Sequence, residues 1–405
     1  MLRRIGPTPV DTPGDAAPGT VRDGRLVVED LDAVELARRF GTPLHVISEA
    51  RVRHNARRFA SAFARGWPHG PVEILPAFKA CPVLAVRRVL TAEGMGCDVF
   101  GAAELRAALD CGVPGPAISL NGPAKDRALL GRAIRAGARI TLDDPAELGA
   151  LRAAIADAGA GATATVRLRL RPDYTALAAP SAFEADGRPV AESAHAYKAG
   201  IPPEQATDLA RALLAEPGVD LAGVMVHLGR HRADLATWAA MADRVAAVTA
   251  ELVAALDGWR PRELDVGGGF ATPRDPLVRG PEHDGDLAAL APDVDEYAEV
   301  LTAALGDGLT ARGVAPRGMT LQVEPGRALH ADAGLHLTTV LGVKRTRRPT
   351  PRTWVQTDTS EAFLMDTLVE GNRWPVLVAG RAATVAVERV DVVGCSCGFD
   401  VLVEG

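Results

Sequence analysis

Eight times between residues 49 and 323, a stretch of helical period gives way to a short apolar or β-branched run, and this alternation constrains the fold more than any other feature. The runs fall at residues 72–78 (VEILPAF), 96–99, 117–120, 139–142, 163–170 (TATVRLRL), 221–227, 263–266 and 320–323. The helical stretches before them cover 49–64, 82–92, 102–110, 126–136, 145–158, 203–214, 234–256 and 294–305. Strands that alternate with helices require right-handed crossovers and a parallel sheet. Eight repeats predict an α/β fold closed into a (β/α)8 barrel, of TIM-barrel type, rather than an open doubly wound sheet. After Arg327 the texture changes. Residues 335–342, 353–357, 376–378, 383–387 and 390–393 read as short strands with hardly any helix pattern, which predicts a mostly antiparallel β domain. The expected organisation is a flexible leader over 1–20, strands at 21–47 that join the β domain, the barrel over 48–330 and the β domain over 331–405.

Composition narrows the class of partner. The chain has 405 residues, 47% hydrophobic and 24% charged, with a formal charge of −6, which fits a folded chain with a full core and excludes disorder. No basic block appears, so neither nucleic acid nor an anionic membrane is expected as a partner. No apolar run approaches the ~20 residues of a membrane span, and the Pro-, Gly- and Asp-rich start lacks a signal core. Cys81, Cys97, Cys111, Cys395 and Cys397 form no CxxC pair or metal-ligand spacing, which fits a reducing cytoplasm and no metal.

In such a barrel, chemistry gathers at the C-terminal ends of the strands. Strand one ends in Lys79, and Asp98 lies in strand two. Strand three ends in Asn121-Gly122, strand four in Asp143-Asp144, and strand five carries Arg169. Strand six ends in His227-Leu228-Gly229, strand seven in Gly267-Gly268-Gly269, and strand eight in Glu324-Pro325-Gly326-Arg327. Burial of Lys79 after an apolar strand would favour its free amine and a Schiff base; pairing with Asp98 is the plainer alternative. Three glycines let backbone N–H groups approach a phosphate, or simply make a tight turn. Arg327 can grip the same phosphate, Glu324 can meet a ring nitrogen, and His227 offers a flat face or an ordinary hydrogen bond. Together they fit pyridoxal 5′-phosphate, which needs a lysine, a phosphate cradle, a ring-nitrogen partner and a stacking wall.

From about Gly41 onward the sequence resembles the fold-type III pyridoxal-phosphate decarboxylases, the diaminopimelate, ornithine and arginine decarboxylase family. The resemblance is carried by PAFKAC around Lys79, GMGCDVFGAAEL (94–105), LNGPAKDRALLGRAIRAGARITLDDPAEL (120–148), HLG (227–229), LDVGGGF (264–270) and EPGR (324–327). It implies an alanine-racemase-like barrel and a head-to-tail homodimer with shared active sites, acting on a small amino-acid substrate. It also implies roles. Lys79 would carry the cofactor, His227 would stack on its ring, and Gly267, Gly268, Gly269, Gly326 and Arg327 would hold the phosphate. Glu324 would keep the ring nitrogen protonated, which favours decarboxylation over racemisation, and a catalytically silent regulatory protein is a third reading. Arg169 would lie near the ring and Asp98 near the lysine. VVGCSCGFDVL (392–402) resembles the segment whose cysteine crosses the dimer to protonate the product, making Cys397 the proton donor and Asp400 a substrate contact; a buried structural thiol is the alternative. Arg230 stands where the family has a phosphate-binding serine. Asp366 stands where diaminopimelate enzymes carry an arginine, so a distal cation on the substrate is expected, unless Asp366 is an ordinary loop residue. The family continues past the cysteine motif through strands carrying a tyrosine, whereas this sequence stops at Gly405, so either the sequence is incomplete or the β domain is shortened.

Overall fold

The computed structural model describes residues 19–175, 189, 192, 196–227, 229, 233–272, 291–365, 376–384 and 388–404. The chain begins with β1 (Thr20–Arg22), β2 (Arg25–Val28), β3 (Leu31–Asp32), α1 (Ala33–Phe40) and β4 (Leu44–Ile47). The repeats follow: α2 (Glu49–Gly66) and β5 (Val72–Ile74), α3 (Leu84–Ala92) and β6 (Cys97–Val99), α4 (Ala102–Asp110) and β7 (Ile118–Leu120), α5 (Arg127–Ala136) and β8 (Arg139–Leu142). Next come α6 (Glu147–Ala158) and β9 (Ala164–Arg169), α7 (Pro203–Leu214) and β10 (Val219–Met225), α8 (Leu235–Ala255) and β11 (Glu263–Asp265), α9 (Val294–Ala311) and β12 (Thr320–Val323). The chain forms two compact units, one within Val52–Pro273 and Ala289–His330, the other taking the remainder.

In the first unit β5–β12 form one parallel sheet in the order β5-β12-β11-β10-β9-β8-β7-β6. Its two ends meet, since the N–H groups of Gly96 and Asp98 donate to the carbonyls of Ile74 (3.0 Å) and Pro76 (3.2 Å). The barrel expected from the alternation is therefore present. Helix starts follow local chemistry: Asp126 caps α5, Asp234 caps α8, and Asp293 forms a capping box with Glu296 at α9.

Alternate strand positions do different work. Ile118, Leu120, Ile140, Leu142, Val166, Leu168, Leu264, Val266, Leu321 and Val323 are completely buried, each such side chain contributing about 1.5–3 kcal/mol. The intervening Ser119, Thr141, Arg167, Asp265 and Gln322 are buried too, and they bond to one another through Arg167. The barrel interior is thus wired by polar groups where aliphatic layers are the usual filling.

The first strand is shorter than the sequence suggests. It ends at Ile74, and Phe78–Ala80 is a 3₁₀ turn that buries Phe78 and turns Lys79 outward. The burial expected of Lys79 is not found: its side chain is exposed, and the adjacent Phe78 takes the inward position.

The second unit holds β1–β3 as an antiparallel sheet and β4 paired antiparallel with β13 (Gly334–Leu337). Ala33, Leu36 and Leu337 are its buried centre. β14 (Val340–Thr346), β15 (Arg352–Thr357), β16 (Asp391–Val393) and β17 (Val401–Val403) make a four-stranded sheet, antiparallel except between β15 and β16. The single run at 335–342 is two strands, and β17 appears inside the cysteine motif. Val376–Val378 form no strand: they are exposed and lead into a 3₁₀ turn at Ala379–Arg381. Of 383–387, Ala383 and Thr384 are turn, and 385–387 lie outside the described residues.

Candidate active site

Three neighbouring strand ends are stitched together by main-chain bonds. Leu75 N–H donates to Val323 O (2.8 Å), Ala77 N–H to Pro325 O (3.1 Å), and Glu324 N–H to Gly267 O (2.8 Å). The lysine turn, the EPGR loop and the triple-glycine turn are therefore adjacent. A Cβ on Gly326 would lie 3.4 Å from Ala80 Cβ, so Gly326 lets the lysine turn pack against its loop.

Lys79 Nζ stands 4.2 Å above the Phe100 ring, a cation–π contact that holds the amine over the barrel mouth. Phe100 rests on Gly122, where φ is +91° and a Cβ would meet the ring at 2.9 Å. Asp98 lies beneath, and the Lys79 charge acts on it. Even so, burial pushes the Asp98 carboxyl up to about 7, with Asp265 and Glu104 adding to the rise.

Glu324 is buried, and its Oε1 accepts hydrogen bonds from Asn121 Nδ2 (2.6 Å) and Ser119 Oγ (3.2 Å). Asn121 Nδ2 also donates to Asp98 Oδ1 (2.7 Å), so one amide serves two carboxylates. Burial first, then the nearby Asp265 and Asp98, hold Glu324 well above the usual carboxylate range, against the pull of Arg167. A buried acid of raised proton affinity suits a ring nitrogen, which can take a hydrogen bond or a proton from it.

The glycine turn is shaped by contact. A Cβ on Gly268 would fall 2.1 Å from Glu324 O, and one on Gly267 (φ +68°) would fall 2.7 Å from His227 Nδ1. Gly267 N–H donates to Asp265 Oδ1 (2.9 Å), and Gly268 N–H to His227 Nδ1 (3.3 Å). Since a backbone amide only donates, Nδ1 carries a lone pair in this arrangement and the ring proton sits on Nε2. Arg327 opens the short helix Arg327–His330 directly after Gly326.

Arg169 is buried and lies 3.4 Å from Asp143 Oδ1, with its guanidinium 5.8 Å from the Tyr197 ring. Asp143 Oδ1 also accepts from Gly200 N–H (3.1 Å), and Asp143 N–H donates to Glu147 Oε2 (2.7 Å). Lys125, fully buried, pairs with Glu147 at 2.9 Å.

The residues expected from the strand ends thus lie on one rim: Lys79, Asp98, Arg169, His227, Gly267–Gly269, Glu324, Gly326 and Arg327. Cys397 and Asp400 belong to the second unit. Cys397 is exposed, which removes the buried-thiol alternative. Asp400 is buried at φ +46° and accepts from Glu361 N–H and Ser396 N–H, both at 2.7 Å, so its carboxylate shapes the 394–400 turn. Asp366 and Arg230 lie outside the described residues. Reading strand ends alone passed over the roles of Ser119, Asn121, Arg167 and Asp265. Their signal was polar residues at every second position of otherwise apolar strands. Among the described residues no cluster suited to a metal occurs, and no helix is long and apolar enough to cross a membrane.

The rim fits pyridoxal phosphate on its own geometry: a lysine at the mouth, a buried carboxyl with neutral donors on one oxygen, and a glycine turn that a Cβ at Gly267 or Gly268 would fill. That combination defines a pyridoxal-phosphate barrel enzyme. The pyridoxal binding domain of the pyridoxal-dependent decarboxylases matches residues 49–331, and the chain belongs to this family. It is 31% identical over 389 residues to the diaminopimelate decarboxylase of Actinosynnema pretiosum subsp. auranticum, covering 94% of this chain and 78% of that protein. The enzyme of that name from Methanothermobacter thermautotrophicus is 28% identical, with coverages of 92% and 79%. The crystal structure of M. jannaschii diaminopimelate decarboxylase with L-lysine superposes with a TM-score of 0.81 at 26% identity, covering 95% of this chain and 82% of that one. Lysine decarboxylase from Selenomonas ruminantium shares the fold, with a TM-score of 0.69 at 24% identity over 92% and 84% of the two chains. The reaction class is accordingly pyridoxal-phosphate-dependent decarboxylation of an amino acid.

Proposed function

We propose that this enzyme removes the α-carboxylate of an L-amino acid of the diaminopimelate, lysine, ornithine and arginine class, giving an amine and CO₂, with its cofactor attached to Lys79. Pyridoxal phosphate, when bound, supplies the electron sink for the pair left behind by the departing carboxylate. The chain's residues do the rest. Lys79, poised over Phe100, offers the amine that the substrate amine displaces. His227 walls one face of the ring, and Gly267–Gly269, Gly326 and Arg327 receive the phosphate. Glu324 keeps a proton at the ring nitrogen and so strengthens the sink. The observation that carries this reading is the buried carboxyl of Glu324, which accepts from the neutral donors Asn121 and Ser119 and lies beside the carboxyls of Asp265 and Asp98. An arginine there would leave the ring nitrogen unprotonated and suit racemisation.

Cys397, exposed and so open to proton exchange, is proposed to return the proton at the site of a second copy in a homodimer. Asp366 is proposed to meet a distal cation of the substrate. Two measurements test the whole. Wild-type protein saturated with cofactor should show a covalent absorption band that Lys79→Ala abolishes. CO₂ release should then appear on at least one of lysine, ornithine, arginine and meso-diaminopimelate. Release from none of them sinks the reading, and release from meso-diaminopimelate alone sinks the role given to Asp366.

A further inference from the structure

Arg167 is the one guanidinium among the described residues that reaches into both halves of the cofactor site without touching either. It is completely buried. Its Nη1 donates to Asp265 Oδ2 (2.8 Å) and to Gln322 Oε1; its Nη2 donates to Ser119 Oγ and to Thr141 Oγ1 (3.1 Å). Each prong leads upward. Asp265 presents its other oxygen to Gly267 N–H (2.9 Å), the first amide of the glycine turn. Ser119 presents its hydroxyl to Glu324 Oε1 (3.2 Å), the partner of the ring nitrogen. We propose that Arg167 is a positioning residue for the cofactor: one prong sets the phosphate turn through Asp265, and the other sets the ring-nitrogen carboxyl through Ser119.

Charge supports the same assignment. The upper lumen gathers Asp98, Asp265 and Glu324, with Glu104 acting on Asp98 from its own helix. Lys79 acts on Asp98, and Arg167 pairs with Asp265, while Glu324 accepts from the neutral donors Asn121 and Ser119 and feels the Arg167 charge from a distance. Burial, with Asp265 and Asp98 nearby, raises the proton affinity of Glu324 against the pull of Arg167, at the place where a ring nitrogen would meet it.

The test reads cofactor affinity against pH, together with protection by inorganic phosphate as a probe of the glycine turn alone. This inference rests on the proposed site but not on turnover. Protein that binds pyridoxal phosphate with the shifts below yet releases no CO₂ defeats the proposed reaction and leaves Arg167 in its role. Arg167→Met is expected to weaken cofactor binding about tenfold or more and to weaken phosphate protection as well. Its affinity profile should move to higher pH by about one unit, because removing a cation raises the proton affinity of the carboxyls it faced. Arg167→Lys, which keeps charge but loses the fork, should restore the pH profile and only part of the affinity. Ser119→Ala breaks only the ring-side link. It should shift the pH profile in the same direction by less, and leave phosphate protection intact. A folded Arg167→Met protein with wild-type affinity and wild-type profile overturns the proposal. If Arg167→Met does not fold, Ser119→Ala decides: an unmoved profile overturns the proposal, and a moved one supports it.

Discussion

Two buried glutamates in the barrel unit are treated in opposite ways. Glu147 has a lysine to itself: Lys125 Nζ lies within 3.1 Å of it, and the N–H groups of Lys125 and Asp143 complete its shell. Glu324 receives two neutral donors and faces two further carboxyls. The first arrangement closes on itself and holds the loops after β7 and β8. The second gathers Asp98, Asp265 and Glu324 around one guanidinium, Arg167, and we propose that a ring nitrogen completes it. On the proposed reading, stability and function fall to different carboxylates of one fold.

The contrast breaks most readily through Lys125. Lys125→Met strands a buried carboxylate, so unfolding free energy should fall by about 3–5 kcal/mol, read by urea titration. Glu324→Gln should leave stability unchanged or slightly raised while turnover falls about 100-fold, a split visible in parallel denaturation and CO₂ assays. Equal destabilisation by both substitutions would erase the distinction. Gly268→Ala should then cost the cofactor more than Gly267→Ala, because its Cβ meets unyielding backbone at 2.1 Å; equilibrium titration should show about 10-fold or more against a smaller loss.

pH sharpens the comparison further. The Asp98 carboxyl, raised from 3.8 to about 7, binds its proton more tightly in the folded than in the unfolded chain. Its contribution to stability is complete below about pH 4 and is lost as pH rises toward 7, so Asp98→Asn should flatten that fall in a series of melts. The smallest effect lies in the second unit. His336, packed 4.4 Å from His45, is lowered to about 4 by burial and that neighbour. Its contribution is present above about pH 6.5 and lost as pH falls toward 4, and His336→Gln should reduce the acid-side loss by about 1 kcal/mol.

Much of this was legible in the sequence. The eight barrel strands and their helices were found from period, though the first strand ends at Ile74 and the sixth at Met225, because buried apolar residues recur along the strands. Helix starts were marked by Asp126, Asp234 and Asp293. The strand-end residues Lys79, His227, the three glycines and Glu324 fell together on one rim, as strand direction in a parallel barrel requires. What period and strand ends do not reveal is where a polar residue inside a strand points. Ser119, Arg167 and Asp265 read as interruptions of apolar runs, and only closure of the sheet brings them to a single layer. Lys79 shows the reverse failure. Its apolar surroundings suggested burial, but Phe78 beside it took the inward position. In the second unit, Val376–Val378 reads as a strand from composition alone, and among the described residues nothing pairs with it.

The polar filling of the barrel bears on how this chain can vary. A layer of aliphatic side chains tolerates exchange one residue at a time, since neighbours of similar volume are interchangeable. A layer in which one guanidinium answers to serine, threonine, glutamine and aspartate at once does not. Replacing any of the four by leucine abandons an N–H in a dry interior, so these positions are bound to be inherited as a set or replaced together.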